Sequence, residues 1–250
     1  MKHPRSIAIT GASSGIGEAL AYEYSSPGVT LALCGRNSDR VKSVVDGCRA
    51  RGAEAVGSVL DVTDADATAR WVEDADARAP LDLLIANAGI AADPGVRDDQ
   101  TKQIFAVNMD GVINTVLPIL KPMRDRRCGQ IAIVSSLAGY RGFPGAPAYS
   151  ASKAAVKAWG EALRGRLHRD GVQVSVICPG YVISRMTQDN KFPMPMLMNP
   201  ERAAKIIRRG LERNSGLIAF PLPMHWIAWM ISLAPGMMID PMLRKLPRKE

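Results

Sequence analysis

The stretch Ser6-Ile7-Ala8-Ile9-Thr10-Gly11-Ala12-Ser13-Ser14-Gly15-Ile16-Gly17 decides how this chain folds. Its first five residues are short, apolar and β-branched, as expected of a buried strand, and the pattern from Glu18 to Tyr24 is helical. Between them lies a glycine turn. Gly11 permits a tight bend, Gly15 lets an anion approach the backbone, and Gly17 lets the helix pack closely on the strand. The unpaired amides at the helix start then face that anion, which a pyrophosphate would supply. The glycine spacing, GxxxGxG, departs from the GxGxxG dinucleotide fingerprint. A tight strand-to-helix connection that binds nothing explains the turn equally well.

Outward from this unit, strand-like segments recur at 6–10, 29–34, 54–60, 81–86, 130–134, 173–177 and 217–220, separated by helical stretches. Such alternation calls for a parallel sheet covered on both faces. Right-handed crossovers then bring Gly11, Asn87, Ser136 and Pro179 to one edge of the sheet, where the strands end. The fold class is α/β: a Rossmann-like, three-layer, doubly wound parallel sheet of about seven strands. The 250 residues show no linker, internal repeat or low-complexity run, so one domain is expected. Residues 5–184 form its core, 185–215 a substrate lid, and 216–250 the last strand and an apolar tail.

Tyr149 and Lys153 stand four apart in Tyr149-Ser150-Ala151-Ser152-Lys153, which places them on one helix face. A neighbouring ammonium lowers a phenol's pKa from about 10 and fits it for proton transfer. The same spacing also suits a surface tyrosine beside a solvated lysine. Ser136 precedes Tyr149 by thirteen residues, at the end of a strand-like run.

Thr10 to Gly17, Asn87-Ala88-Gly89, Asn108, Ser136, Tyr149, Lys153 and Pro179-Gly180 together resemble, in order and spacing, the short-chain dehydrogenase/reductase family. The resemblance covers roughly residues 5 to 220. It implies hydride exchange between a nicotinamide cofactor and a carbonyl or secondary alcohol. In that scheme Tyr149 is the acid or base, Ser136 bonds the substrate oxygen, and Lys153 holds the nicotinamide ribose and depresses the tyrosine pKa. Asn108 anchors a water behind Lys153, and a buried asparagine bonding backbone is the plainer account of it. Ser135 competes with Ser136, and the spacing to Tyr149 favours Ser136.

The resemblance also assigns cofactor contacts to Gly11, Ser13, Ser14, Gly15, Ile16 and Gly17, and to Asn87, Ala88 and Gly89 near the adenosine ribose. Asp61 and Val62 resemble the adenine-binding pair, although Asp61 also suits a helix cap. Pro179, Gly180, Val182 and Ser184 resemble a PGxVxT segment that orients the carboxamide, with Ser184 for threonine and Thr187 as an alternative donor. Arg36 follows the second strand where an acidic residue would select NAD, and the acidic position itself is Gly35. An arginine there favours the 2′-phosphate of NADP(H) over NAD(H). Ser14, where many NADP-linked relatives carry a base, weakens that preference.

Other chemistries are excluded or set aside. Cys34, Cys48, Cys128 and Cys178 are scattered, with Cys34 and Cys178 in or beside predicted strands, so no disulfide set is expected. His3, His168 and His225 are dispersed, and no cluster has metal-ligand spacing. The net charge of +8 is spread over helix-face runs without aromatic interleaving, which argues against nucleic acid. A strand beginning at Ser6 leaves no room for a leader, so a cytoplasmic protein is expected, with membrane association as an alternative.

Nine of the twelve methionines lie from Met186 onward, three of them (Met194, Met196, Met198) around Pro193 and Pro195. Thioethers suit an adaptable apolar pocket, so a bulky lipid-, steroid- or long-chain-like substrate is expected. Asn199-Pro200 then caps the next helix. From 216 to 239 there is no charged side chain if His225 is neutral. Pro221, Pro223 and Pro235 interrupt the run, and 224–233 is too short to span a bilayer of ~30 Å. It suits a pocket flap, a dimer contact, or an interfacial helix anchored by Trp226 and Trp229 with basic residues behind it. A homodimer or homotetramer through 108–118 and 152–167 is implied by the resemblance, with Ala154, Ala155 and Ala158 allowing close approach. A catalytically weak dinucleotide-binding sensor or scaffold is the alternative function class.

Overall fold

The computed structural model describes residues 3–91, 100–188 and 193–243. Seven strands, β1 (Ser6–Thr10), β2 (Thr30–Gly35), β3 (Glu54–Val59), β4 (Leu83–Ala86), β5 (Gln130–Val134), β6 (Gln173–Pro179) and β7 (Leu217–Phe220), form one sheet. Its order is β3-β2-β1-β4-β5-β6-β7, and every pairing is parallel. The central strands β1, β4 and β5 are buried along their whole length, as their unbroken apolar runs require. The edge strand β3 instead alternates, with Glu54, Gly57 and Val59 at the more accessible positions and Ala55 buried.

The helices are α1 (Gly15–Tyr24), α2 (Ser38–Arg49), α3 (Ala65–Arg78), α4 (Thr101–Phe105), α5 (Gly111–Asp125), α6 (Pro147–Leu167), α7 (Arg185–Gln188), α8 (Pro200–Glu212), α9 (Leu222–Leu233) and α10 (Gly236–Leu243). One face of the sheet is covered by α1, α2 and α8, through Leu20, Val41, Val44, Ile207 and Leu211. The other is covered by α3, α5 and α6, through Val72, Val116, Ile119, Val156 and Leu163. This is the expected three-layer arrangement, and the strand boundaries differ from those read in the sequence by no more than two residues.

Local chemistry sets the helix ends. Asn37 accepts from the Arg40 amide at 3.0 Å to start α2, and Asp64 accepts from the Ala67 amide at 2.9 Å to start α3. Asp61 is therefore not the cap of α3; its Oδ1 accepts from the amide and hydroxyl of Thr63 in the loop before it. Asn199 does occupy the position before α8 with Pro200 following, yet its side chain makes no capping bond. The proline, with its fixed φ and missing donor, is enough to begin that helix.

The helical run Thr101–Asp125 is long and apolar enough to cross a membrane by length and composition, with 44% of that window buried. Its Val112, Val116, Ile119 and Met123 face the sheet, which accounts for the apolar content by packing. After β7 the chain turns at Pro221 into α9, and Ala234-Pro235 separates α9 from α10. The four cysteines are free, with Cys34, Cys48 and Cys178 buried.

Candidate active site

The order of the sheet reverses at β1, because β2 lies on one side of it and β4 on the other. In such folds the ligand crevice lies at this reversal, here beyond Thr10 and Ala86. Thr10 closes its floor: its hydroxyl accepts from the Asn87 and Ala88 amides at 3.1 and 3.2 Å. The Asn87 side chain donates back to the carbonyls of Thr10 (2.9 Å) and Gly11 (3.1 Å). The glycine turn and the Asn87-Ala88-Gly89 turn are thus one stitched unit.

Two glycines of that unit are steric necessities. Gly11 has φ +65°, and a Cβ there would lie 2.8 Å from the Cα of Ala88. At Gly17 an added Cβ would lie 2.3 Å from the Gly11 carbonyl oxygen, so α1 meets the turn too closely for any side chain. Gly15 faces Ser184, whose Cβ would be 3.0 Å from an added Cβ. This narrow slot brings the Pro179–Ser184 segment over the start of α1, where the first-turn amides have no intrahelical partners.

Ser13 packs against Gly35, where any Cβ would meet its hydroxyl at 2.9 Å. Arg36 is exposed just beyond, and Arg40, one turn into α2, encloses an Nε with no hydrogen-bond partner. Ser184 and Thr187 share a small cluster: the Ser184 amide donates to the Thr187 hydroxyl at 2.9 Å, and the two hydroxyls lie 3.4 Å apart. Val182 is buried, and the 181–183 backbone pairs with Met198 through bonds of 3.0 and 2.9 Å.

Ser136, Tyr149 and Lys153 meet at the ends of β5 and β6. The Ser136 hydroxyl accepts from the Ala138 amide at 3.1 Å and is only 3.4 Å from the Pro179 carbonyl as its acceptor. It also lies near enough to the Tyr149 phenol to favour its ionised form, against the effect of burial. Ser135 is committed elsewhere, donating to the Lys153 carbonyl at 2.7 Å and pinning α6 to β5. Of the two serines, only Ser136 turns its hydroxyl toward Tyr149.

Lys153 is buried, at 3% exposure, with Nζ 5.8 Å from the centre of the Tyr149 ring and donating to the Val134 carbonyl at 3.0 Å. The expected electrostatics are reversed here. Burial pushes the Tyr149 pKa up, with the Ser136 bond opposing it, and burial pushes the Lys153 ammonium down to about 8. Helix spacing does place the two residues on one face. The dry wall around them penalises each ion more than their separation lets them help each other.

Asn108 is fully buried in a single π-turn, Ala106–Asp110. Its Nδ2 donates to the Ile90 carbonyl (2.9 Å) and the Ser152 hydroxyl (3.1 Å), and its Oδ1 accepts from the Ile90 amide at 2.7 Å. Both amide protons are therefore spent on protein groups, and the side chain clamps the 89–90 turn against α6. A Cβ on Gly89 would sit 3.2 Å from both Asn108 Oδ1 and Lys153 Nζ, so the three converge.

Three supporting residues escape a reading of the sequence. Ser152 links Asn108 to the Tyr149 carbonyl, to which its hydroxyl donates at 2.8 Å. Gly139 has no room for a Cβ, which would lie 2.8 Å from the Lys153 carbonyl carbon. Tyr140 hydrogen-bonds His225 of α9 at 3.1 Å, bringing the tail beside the site. A serine three residues after the tyrosine is a visible signal for the first; the others depend on contacts remote in sequence.

A family model described as short chain dehydrogenase matches residues 5–193. The chain belongs to the short-chain dehydrogenases/reductases. Among its relatives in this family is an uncharacterized oxidoreductase of Myxococcus xanthus, 36% identical over 246 residues and covering 97% of each chain. An 11-beta-hydroxysteroid dehydrogenase-like protein of Arabidopsis thaliana is 33% identical over 250 residues, covering 94% of this chain and 82% of its own. Of solved structures, a 3-oxoacyl-[acyl-carrier protein] reductase from Brucella melitensis superposes with a TM-score of 0.75 at 26% identity, covering 86% of this chain and 90% of that one. A short chain dehydrogenase from Mycobacterium paratuberculosis, solved bound to NAD, gives 0.76 at 25% identity, covering 88% and 96%.

This dehydrogenase/reductase is accordingly an oxidoreductase that acts on CH–OH groups with a nicotinamide cofactor. The crevice fits that group: left-handed Gly11 and Gly15, the side-chain-free slot under Ser184, and the open start of α1 leave backbone where a pyrophosphate would bind.

Proposed function

We propose that this chain is an NADP-dependent oxidoreductase interconverting a bulky apolar carbonyl compound and its secondary alcohol. The observation that carries the reading is the convergence of the Ser136 hydroxyl, the Tyr149 phenol and the Lys153 ammonium beside the glycine turn. Bound in the crevice, a nicotinamide dinucleotide supplies or accepts the hydride. Gly11 to Gly17 would hold its pyrophosphate, Asp61 and Val62 its adenine, Asn87 to Gly89 its adenosine ribose. Lys153 would hold the nicotinamide ribose, and Pro179 to Ser184 the carboxamide.

The chain's own part is proton handling. Tyr149, kept protonated by burial, donates its phenolic proton to a developing alkoxide, and takes it back when an alcohol is oxidised. Ser136 turns a loosely held hydroxyl toward the same oxygen. Lys153, tied to Val134 and next to Gly89, sets a cation behind the phenol whenever it is protonated. Asn108 and Ser152 position the turn and helix that carry these groups.

Arg36 supports the choice of NADP. It stands exposed beyond Gly35 and no carboxylate occupies the ribose-selecting position, while Arg40 adds a second cation one turn away. A charge-assisted bond to phosphate is worth about 1.5–3 kcal/mol, or roughly 10–100-fold in affinity. We expect kcat/KM with NADPH to exceed that with NADH by at least ~10-fold, and Arg36→Ala to remove most of the difference. A clear NADH preference in the unaltered chain defeats this reading.

The substrate class rests on apolar side chains around and past Ser184: Ile183, Met186 and Leu197 are partly exposed there, and Met224 lies against Gly180. The names of the Arabidopsis and Brucella proteins, a hydroxysteroid dehydrogenase-like protein and a 3-oxoacyl-[acyl-carrier protein] reductase, point the same way. The test is a panel of ketones and aldehydes, from small polar to long-chain, assayed with NADPH by loss of absorbance. Faster turnover of the small polar compounds would refute the substrate class, and no turnover of any would refute the activity. A homodimer is also proposed: on α6, Ala154 and Ala158 are exposed, and on α5 Leu117 is 53% exposed, a small-residue face suited to helix pairing.

A further inference from the structure

Helix α9 presents two unlike faces. Met224, His225 and Ala228 turn inward: Met224 against Gly180, His225 onto Tyr140, and Ala228 into the cluster of Leu137 and Cys178. Arg141 fixes the far end, its Nη1 donating to the Ala234 carbonyl at 2.8 Å. The helix is therefore seated firmly beside the site. Its other face carries Leu222, Trp226, Met230 and Leu233, spaced at four, four and three residues along one side. Met230 and Leu233 are 65% exposed, and Met237 on α10 reaches 86%, values no core role explains. Trp229 meets Trp226 edge-on at 5.7 Å.

An apolar face of this extent needs an occupant. The charge pattern selects one. Between 216 and 239 there is no formal charge, and the seven residues after α10, outside the described residues, contain Arg244, Lys245, Arg248 and Lys249 against Glu250 alone. A second copy of this chain on the face would carry the same excess of cations, and like charges repel. A layer of anionic headgroups attracts the same cations, and indole rings favour the boundary between headgroup and hydrocarbon. Twelve residues make α9 about 18 Å long, enough to lie in that boundary and too short to cross it.

We infer that α9 and α10 dock this protein on the surface of an anionic lipid bilayer, with Trp226, Met230, Leu233 and Met237 entering the interface. Because α9 packs on Tyr140 and Gly180, the docked surface borders the cleft. An apolar substrate dissolved in lipid then reaches Tyr149 without crossing bulk water; this last step rests on the oxidoreductase reading above, and docking itself does not.

The test is flotation of the full chain with vesicles of phosphatidylcholine, with and without about 30 mol% phosphatidylglycerol. The unaltered chain should float with the anionic vesicles and release at ~0.5 M salt, where the Debye length is only a few ångströms. Met230→Glu with Leu233→Glu should cut partitioning at least ~10-fold and leave turnover of a water-soluble ketone unchanged, since neither side chain touches the site. The inference is overturned if the unaltered chain stays unbound, or if the double variant floats equally well. It is also overturned if light scattering shows the variant converting a dimer to monomers while neither form binds vesicles. A protein that floats but reduces no ketone keeps the docking and loses only the proposed activity.

Discussion

Replacing Tyr149 by phenylalanine is expected to lower kcat/KM for ketone reduction by ~10²–10⁴-fold, the usual contribution of a positioned general acid. The ring stays and only the hydroxyl goes, so cofactor affinity and Tm should remain near those of the unaltered chain. The direction of the phenol's pKa adds a second readout. Burial holds it above the ordinary tyrosine value, so the proton is present throughout the neutral range. Reduction should therefore be flat below about 8, fall first as Lys153 loses its charge there, and fall again as more alkaline pH titrates the phenol, whose deprotonated form is the base that alcohol oxidation needs. Turnover of Tyr149→Phe equal to that of the unaltered chain would place the acid elsewhere. Ser136→Ala should cost less, because it removes a hydrogen bond to the substrate oxygen and leaves the proton donor in place.

Much of this site is visible in the primary structure because it is written in local rules. The run Ser6–Thr10 followed by Gly11, Gly15 and Gly17 can scarcely form anything but strand, turn and helix, and the positive φ of Gly11 and Gly15 is what those glycines are for. Tyr149 and Lys153 share a helix face by spacing alone. What was not legible depends on contacts made across the chain. Nothing near Ser135 announces that its hydroxyl belongs to Lys153, eighteen residues away. Asn108 finds Ile90 and Ser152 at separations of 18 and 44 residues, through a π-turn that has no sequence signature. The sense of the Tyr149 shift, upward where the spacing alone suggests downward, has a related cause. Spacing fixes which groups are neighbours, whereas dielectric surroundings, a property of the whole packed wall, fix which protonation state that neighbourhood prefers. The inner and outer faces of α9 are likewise undecidable in a stretch that lacks polar residues to mark the solvent side.

Replacing Lys153 by methionine should separate stability from activity. The ammonium is 3% exposed and burial has brought its pKa from 10.5 down to about 8, so at neutral pH the folded chain carries a charge it would rather lose. The sign follows from linkage. Between about 8 and 10.5 the unfolded chain holds this proton and the folded one has released it, so stability rises with pH across that window. Below about 8 the full penalty is present, on the order of 3 kcal/mol at ~1.4 kcal/mol per pKa unit. Methionine has a similar unbranched shape and no charge, and it gives up only the bond to the Val134 carbonyl, worth about 1 kcal/mol. Lys153→Met should thus raise Tm at pH 7 by a few degrees in the cofactor-free chain, with the gain shrinking as pH approaches 10.5. Turnover should fall by at least ~10²-fold, since the cation behind the phenol and a holder of the cofactor ribose are both gone. A lower Tm that does not vary with pH would mean that the lysine is a structural clamp. The combination of a stabilised fold and a lost reaction is what a strained functional residue leaves behind when it is removed.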